Sequence, residues 1–291
     1  TICLKRAALL LYVVLMLTCQ YAGAEDHPFL VQEDPQVISF PLPTATPLPA
    51  EGPPPFEAWP PLDGQGFLAV TEENGGEFVF ADEKLGRWIY LSADLRVDIR
   101  RFSARVKWRN LVWYIADIFF RGEQAFRAIS ADPANPSRVL SRPEAIAADN
   151  RLVYAQNGDL FSWRLYNKDR TGLIIRDGKV LHEDTYTHAV AKIPPLDELA
   201  LFTDGHVEMR VPGELDAQGY LDRGARDVLA FGPILFREGV ADSRLEESFT
   251  HLEPRSAIGV VGPGHFVGIM VEGRNKRSAG SGLRFVADRL L

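Results

Sequence analysis

Three tight-turn signals, each between two short apolar runs, constrain this chain more than any other feature. Asp177-Gly178 separates Gly172-Leu173-Ile174-Ile175 from Lys179-Val180-Leu181. Asp204-Gly205 separates Leu199-Ala200-Leu201-Phe202 from Val207-Glu208-Met209-Arg210, and Gly262-Pro263-Gly264 joins residues 257–261 to 266–271. Turns of this kind need positive φ, which Gly and Asp supply, so each reads as an antiparallel hairpin. Further β-prone runs cover 66–71, 77–81, 87–91 and 95–102, and the longer apolar run 111–120 reads as a central strand. Helix signals are few. Ser141-Arg142-Pro143-Glu144 reads as a capping box opening a helix through 148, 215–221 is a second candidate, and 281–291 is the last, with its N-cap at Ser281. The fold class is α+β, predominantly antiparallel or mixed β-sheet with a few short helices.

Ahead of these strands the sequence changes character twice. Lys5 and Arg6 precede an apolar run over 7–18, and Ala22-Gly23-Ala24 places small residues where a signal peptidase cuts. Residues 1–24 therefore read as a signal peptide, and the apolar run is short against the roughly 20 residues a membrane span needs. A membrane anchor is the competing reading, and lipidation at Cys19 a weaker one, because Thr18 is a poor residue before a lipidated cysteine. Residues 25–61 hold nine prolines between Pro41 and Pro61, which fix φ and withhold donors, and read as a Pro-rich, extended linker. The folded domain is then 62–291. Secretion, or attachment to a bacterial cell envelope, follows as the expected localisation. Any membrane contact would be through an uncleaved signal or a lipid anchor.

Both cysteines, Cys3 and Cys19, fall in the leader, so the exported part excludes disulfides, thiolate metal sites and cysteine nucleophiles. Removing the leader takes Lys5 and Arg6 and no acid, which moves the formal charge from −7 to −9. Nucleic acid is not an expected partner of so acidic a chain. The histidines at 27, 182, 188, 206, 251 and 265 lack ligand spacing, and no nucleotide-binding loop or nucleophile elbow is present. Zinc and nucleotide cofactors thus have no signature, whereas a divalent cation stays open.

The candidate chemistry lies in two places. Asn157-Gly158-Asp159 follows the apolar run 152–155, so a turn there would put an amide and a carboxylate at a sheet edge; an ordinary Asn-Gly turn is the plain alternative. Arg255 opens one strand of the last hairpin and Val271-Glu272-Gly273-Arg274 closes the other, which brings two guanidiniums to the same end. Two solvated surface arginines are the competing reading. Gly280-Ser281-Gly282, before the last helix, would offer backbone N–H groups to an anion, an ordinary N-cap at Ser281 being the plain alternative.

Taken in order, these segments resemble the phosphodiester glycosidase family. Asn157-Gly158-Asp159-Leu160-Phe161 is similar to its Asn-Gly-x-Phe-Phe, Ala230-Phe231-Gly232-Pro233-Ile234-Leu235 to its Gly-Pro-x-Leu strand, Arg255-Ser256-Ala257-Ile258-Gly259 to its Arg-Thr-Ala-Ile-Gly, and Val271-Glu272-Gly273-Arg274 to its Val-Asp-Gly-Arg. The resemblance implies hydrolysis of a sugar-1-phosphate diester in a carbohydrate or phosphoglycan of the envelope or exopolysaccharide. It gives Glu272, Asp159 and Asn157 catalytic or ligating roles, and Arg255, Arg274, Ser278 and Gly280 a place around the phosphate. Glu272 stands where the family has aspartate, and Gly282 where it has threonine. The resemblance also implies a further Asn-Leu-Asp-Gly-Gly-Gly-Ser strand, so the sequence is expected to be a C-terminally truncated reading of a longer gene. The alternative is a non-catalytic anionic-glycan-binding or structural module.

Overall fold

The computed structural model describes residues 59–106, 108–122, 126–131, 141–159, 172–183, 195–247 and 250–291. The expected signal peptide, nearly all of the linker, and Leu160 and Phe161 of the Asn-Gly segment lie outside them.

Two antiparallel sheets form the body. Strands β1 (Glu77–Asp82), β2 (Arg87–Ser92), β3 (Leu95–Val106) and β4 (Arg109–Phe120) make a meander. The last hairpin, β12 (Arg255–Gly262) and β13 (His265–Val271), completes a six-stranded sheet in the order β1-β2-β3-β4-β13-β12. As the apolar run 111–120 implied, β4 is internal, held by β3 on one side and β13 on the other. The second sheet has five strands: β5 (Ile174–Arg176), β6 (Lys179–His182), β7 (Glu198–Phe202), β8 (Val207–Arg210) and β9 (Ala225–Ala230), in the order β6-β5-β9-β7-β8. A small ribbon, β10 (Phe236–Arg237) and β11 (Val240–Ala241), stands apart.

The three expected hairpins are present. Asp177 and Gly178 have φ of 50° and 70°, the paired positive values of a two-residue turn whose twist matches its strands. Gly205 and Gly264 also take positive φ, and a register shift after Val260 absorbs the extra residue of Gly262-Pro263-Gly264.

Alternation along the strands sets which face is buried. One face of the six-stranded sheet, with Trp88, Val97, Ile99, Ala116, Ile118 and Phe266, packs on Leu201, Val207 and Leu229 of the five-stranded sheet. Its opposite face carries Leu111, Trp113, Ala257, Ile269 and Val271, covered by helix α4 (Leu283–Leu290) through Leu283, Val286 and Ala287. The outer face of the five-stranded sheet is covered by helix α2 (Ala217–Asp222), whose Ala217 and Tyr220 meet Ala200 and Val228. The layers thus run helix, sheet, sheet, helix. Helices α1 (Pro143–Asp149) and α3 (Arg244–Glu247) are short.

Several local expectations are corrected. Residues 66–71 form no strand, contributing one isolated bridge, Leu62 to Leu68. The helix start at 141–144 is displaced by one: Arg142 is the N-cap, it makes no side-chain cap bond, and Pro143 opens the helix. At the last helix Gly282 is the N-cap, and the Ser281 hydroxyl is buried with no hydrogen-bond partner among the described residues. Residues 152–159 belong to neither sheet.

Candidate functional site

The ladder between β13 and β4 continues one residue past the strand end, where the Glu272 N–H donates to the Val112 carbonyl at 2.9 Å. That continuation turns Glu272 onto the face that carries Tyr114, the neighbour of Trp88 in the inter-sheet core. Glu272 is only 8% exposed. Its Oε1 accepts from the Tyr114 hydroxyl at 3.0 Å and from Arg277 Nη2 at 2.6 Å. Oε2 is buried and has no hydrogen-bond partner among the described residues. A buried polar atom left in that state costs about 1–3 kcal/mol, which makes it the group that an incoming hydroxyl or cation would complete. The Ser256 hydroxyl is likewise buried with no hydrogen-bond partner among the described residues. Ser256 pairs with Met270, so it sits diagonally across the ladder from Glu272, with Cα atoms about 7–8 Å apart.

The surrounding charges fix the state of this cluster. Burial pushes the Tyr114 hydroxyl up, and its hydrogen bond to Glu272 pushes it further, so the phenol stays protonated and donating. Arg277 is raised by its hydrogen bond to Glu272 and by the carboxylate's charge. Its side chain is 70% exposed, so one edge grips Glu272 while the rest meets solvent.

Residues 272–282 form a shaped loop. Ser278, 1% exposed, donates its hydroxyl to the Glu272 carbonyl at 2.6 Å and accepts from the Val112 N–H at 3.1 Å. Asn275 Oδ1 accepts from the Arg277 and Ser278 N–H groups. Gly280 has φ 91°, and a Cβ there would meet the Glu253 carbonyl group at 2.6 Å. Ser278 and Gly280 therefore build the loop that presents Glu272. The Ser281 N–H, expected to offer itself to an anion, donates to the Glu253 carbonyl at 2.9 Å.

The two arginines do reach the same end of the β12–β13 hairpin, but their side chains turn toward one another's loops. Arg255 pairs with Val271 and shares the face of Ala257, the face opposite Glu272. It is 6% exposed, with Nε donating to the Ser281 carbonyl at 3.1 Å and Nη2 to the His251 carbonyl at 3.0 Å. Arg274, at φ 59°, donates from Nε to Glu253 Oε2 at 2.6 Å. Both arginines thereby staple residues 251–253 to the loop after β13.

The Asn157 segment bridges the sheets. A Cβ on Gly268 of β13 would lie 2.1 Å from the Tyr154 hydroxyl, and a Cβ on Gly158 would lie 2.5 Å from Leu229 of β9. Asn157 is carried between those two contacts. Gly158 is thus required by close approach and not by a turn. Asp159, expected at an exposed edge, has a buried carboxylate: Oδ1 accepts from the Ala230 N–H at 3.1 Å and Oδ2 pairs with Arg176. Its partners are on β9 and β5 of the five-stranded sheet, whereas those of Glu272 are Tyr114 on β4 and Arg277 in the loop after β13.

Tyr114, Arg277 and Ser256 are the members that sequence reasoning missed. Tyr114 lay within an apolar run with no motif, and only the register of β4 against β13 reveals it. Among the described residues, no group of three or more His, Cys, Asp or Glu is placed to hold a metal ion.

Glu272, Ser256 and Arg277 all lie in the stretch 150–291, which the phosphodiester glycosidase family matches. That stretch, just under half of the chain, resembles the family. A solved structure, the catalytic domain of zebrafish N-acetylglucosamine-1-phosphodiester alpha-N-acetylglucosaminidase auto-inhibited by its pro-peptide, shares the fold with a TM-score of 0.52 at 17% identity. The likeness covers 68% of this chain and 67% of that one, so it extends ahead of the family-matched residues. The SPbeta prophage-derived protein YomE of Bacillus subtilis (strain 168) is 33% identical over 149 residues, 50% of this chain. That stretch spans 21% of the relative's length. The phosphodiester glycosidase family is one of glycosidase-type hydrolases, with carbohydrate as the substrate class.

Proposed function

We propose that this chain hydrolyses a glycosyl phosphodiester, with Glu272 as its central carboxylate. The observation that carries the proposal is the buried Oε2 of Glu272, within the family-matched stretch, which has no partner among the described residues while Oε1 is held by Tyr114 and Arg277. Water adds to the anomeric carbon as the carbon–oxygen bond to phosphate breaks; the phosphomonoester departs with the bonding electrons, and the proton that the water sheds passes to solvent. Positive charge gathers on the sugar in the transition state, and a carboxylate oxygen aimed at it from a desolvated site stabilises that charge. The leaving phosphomonoester is a weak base and needs countercharge more than a proton. Arg277, exposed and adjacent, supplies it. Export by the leader at 1–24 would place this activity on extracellular or envelope glycans.

The test is turnover of a chromogenic N-acetylglucosamine-1-phosphodiester by the purified chain and its Glu272→Gln variant. Wild-type release of the phosphomonoester, with kcat at least about 100-fold lower in Glu272→Gln and an unchanged melting temperature, is the expected result. Equal turnover by the two proteins would remove Glu272 from the reaction. Absence of turnover by either, with retained phosphate-competable glycan binding, would move the reading to a non-catalytic binder of anionic glycan.

A further inference from the structure

The outer half of the β3–β4 hairpin projects beyond its neighbours. Pairing of β2 with β3 ends at Arg87 opposite Arg100, and a last rung runs from the Arg101 N–H to the Gly86 carbonyl. Past it, β3 has only β4 beside it among the described residues, out to Val106 opposite Arg109. On the other side, the loop after Glu272 follows β4, with the Ala279 N–H donating to the Asn110 carbonyl at 3.0 Å. The pleat then sorts the arm's side chains. Phe102 stacks on Trp113 over the α4 face, whereas Arg101, Ser103 and Arg105 pair with Tyr114, Val112 and Asn110 on the face of Glu272.

This face is cationic in an acidic protein. Arg105, Ser103 and Asn110 are exposed, and with Arg101 and the exposed Arg277 they lead straight to the Glu272 carboxyl. Arg101 and Arg105 have Cα atoms about 13 Å apart along the strand. One phosphate held by Arg277 leaves Arg105 unused, while a ligand with charges at intervals engages all three guanidiniums. Repulsion from the acidic remainder of the chain is screened beyond about 8 Å at physiological ionic strength, and direct contacts on the strip are not. At the tip, Trp108 is 70% exposed, with Arg109 over its ring at 4.3 Å. Its remaining surface is a flat apolar platform of the kind sugar rings cover.

We propose that this arm binds an anionic glycan chain bearing repeated phosphates and feeds it to the Glu272 site. The proposal rests on the phosphodiester reading for its choice of phosphate as the anion. It places the ligand contacts on Arg101, Ser103, Arg105, Trp108 and Asn110, ahead of the family-matched stretch.

Native electrophoresis of the full chain in gels containing poly(N-acetylglucosamine-1-phosphate), each protein compared with its own mobility in a polymer-free gel, tests it without reference to turnover. Wild type should be retarded, and retardation should weaken with added salt. Arg105→Ser and Ser103→Glu should raise the apparent Kd at least threefold with unchanged melting temperatures, and Arg105→Lys should retain most of the affinity. Unretarded wild-type protein, or both variants retarded like wild type, would overturn the proposal. Arm-dependent binding with no hydrolysis of the small phosphodiester would uphold the arm and sink the catalytic reading; hydrolysis without retention would do the reverse.

Discussion

Arg255 and Glu272 stand on opposite faces of one antiparallel pair, because Arg255 lies across from Val271 and Glu272 is the next residue along. The pleat gives the arginine to the helix-covered side and the carboxylate to the side between the sheets. Arg255 accordingly holds the carbonyls of His251 and Ser281.

Arg255→Ala should therefore lower stability by roughly 1.5–3 kcal/mol, the worth of hydrogen bonds from a charged donor, since the Ser281 carbonyl then keeps only the Glu253 N–H and the His251 carbonyl loses its guanidinium partner. Lysine should not rescue it, since a single ammonium cannot reproduce the two-pronged planar donor. Thermal unfolding of the two variants decides the matter, and a melting temperature equal to wild type in Arg255→Ala would refute the staple.

Removing the Tyr114 hydroxyl should loosen Glu272 without unfolding the protein. Tyr114→Phe takes one donor from Oε1 and leaves Arg277 in place. Kcat on the chromogenic diester should drop roughly tenfold with KM little changed, and stability by about 0.5–1.5 kcal/mol. A rise in KM alone would mean that Tyr114 contacts the substrate instead of orienting the carboxylate.

Stability should fall as pH rises toward 8 because of Glu198. This residue lies 1% exposed beneath α2, with Oε2 accepting from the Tyr220 hydroxyl at 2.7 Å and Oε1 unpartnered among the described residues. Burial pushes its carboxyl up to about 8 from an ordinary 4.5, with the Tyr220 hydrogen bond opposing. The folded state binds the proton more tightly than the unfolded state, so this contribution is full below pH 4.5 and lost as pH rises through 8. Glu198→Gln should flatten the curve and stabilise the protein most above pH 8. Urea unfolding from pH 5 to 9 checks it, and parallel curves for the two proteins would contradict the assignment.

Gly268→Ala should cost about 1–3 kcal/mol as an overpacked contact. Its Cβ would meet the Tyr154 hydroxyl at 2.1 Å and Gln156 Oε1 at 2.9 Å, which are themselves hydrogen-bonded at 2.5 Å. Denaturant unfolding measures the loss, and Tyr154→Phe in the same background should recover part of it. No recovery would place the clash elsewhere.

The hairpins were legible because their signals are local: positive φ at Asp-Gly and a strand on either side. Glu272 was legible through its motif. What the carboxylate touches was not, because Tyr114 reaches it through a register between segments more than 150 residues apart. Asp159 misled for a related reason, since an Asn-Gly-Asp string looks like a turn until Leu229 is seen pressing on Gly158. The helix starts at Arg142 and Gly282 were missed by one residue because neither makes a side-chain cap, so the serines nearby carried a signal that the fold does not use.

The pairing of β4 with β13 has a consequence for how such proteins diverge. It joins residues 113–119, ahead of the family-matched stretch, to residues 265–271 within it. The rungs are peptide groups, which every residue but proline provides in full. Substitutions in the leading half can therefore leave the ladder intact so long as buried positions such as Trp113, Ala116 and Ile118 stay apolar and fit their neighbours. The family-matched residues and those ahead of them are knit into a single sheet, and neither part could be exchanged without supplying the other's missing edge.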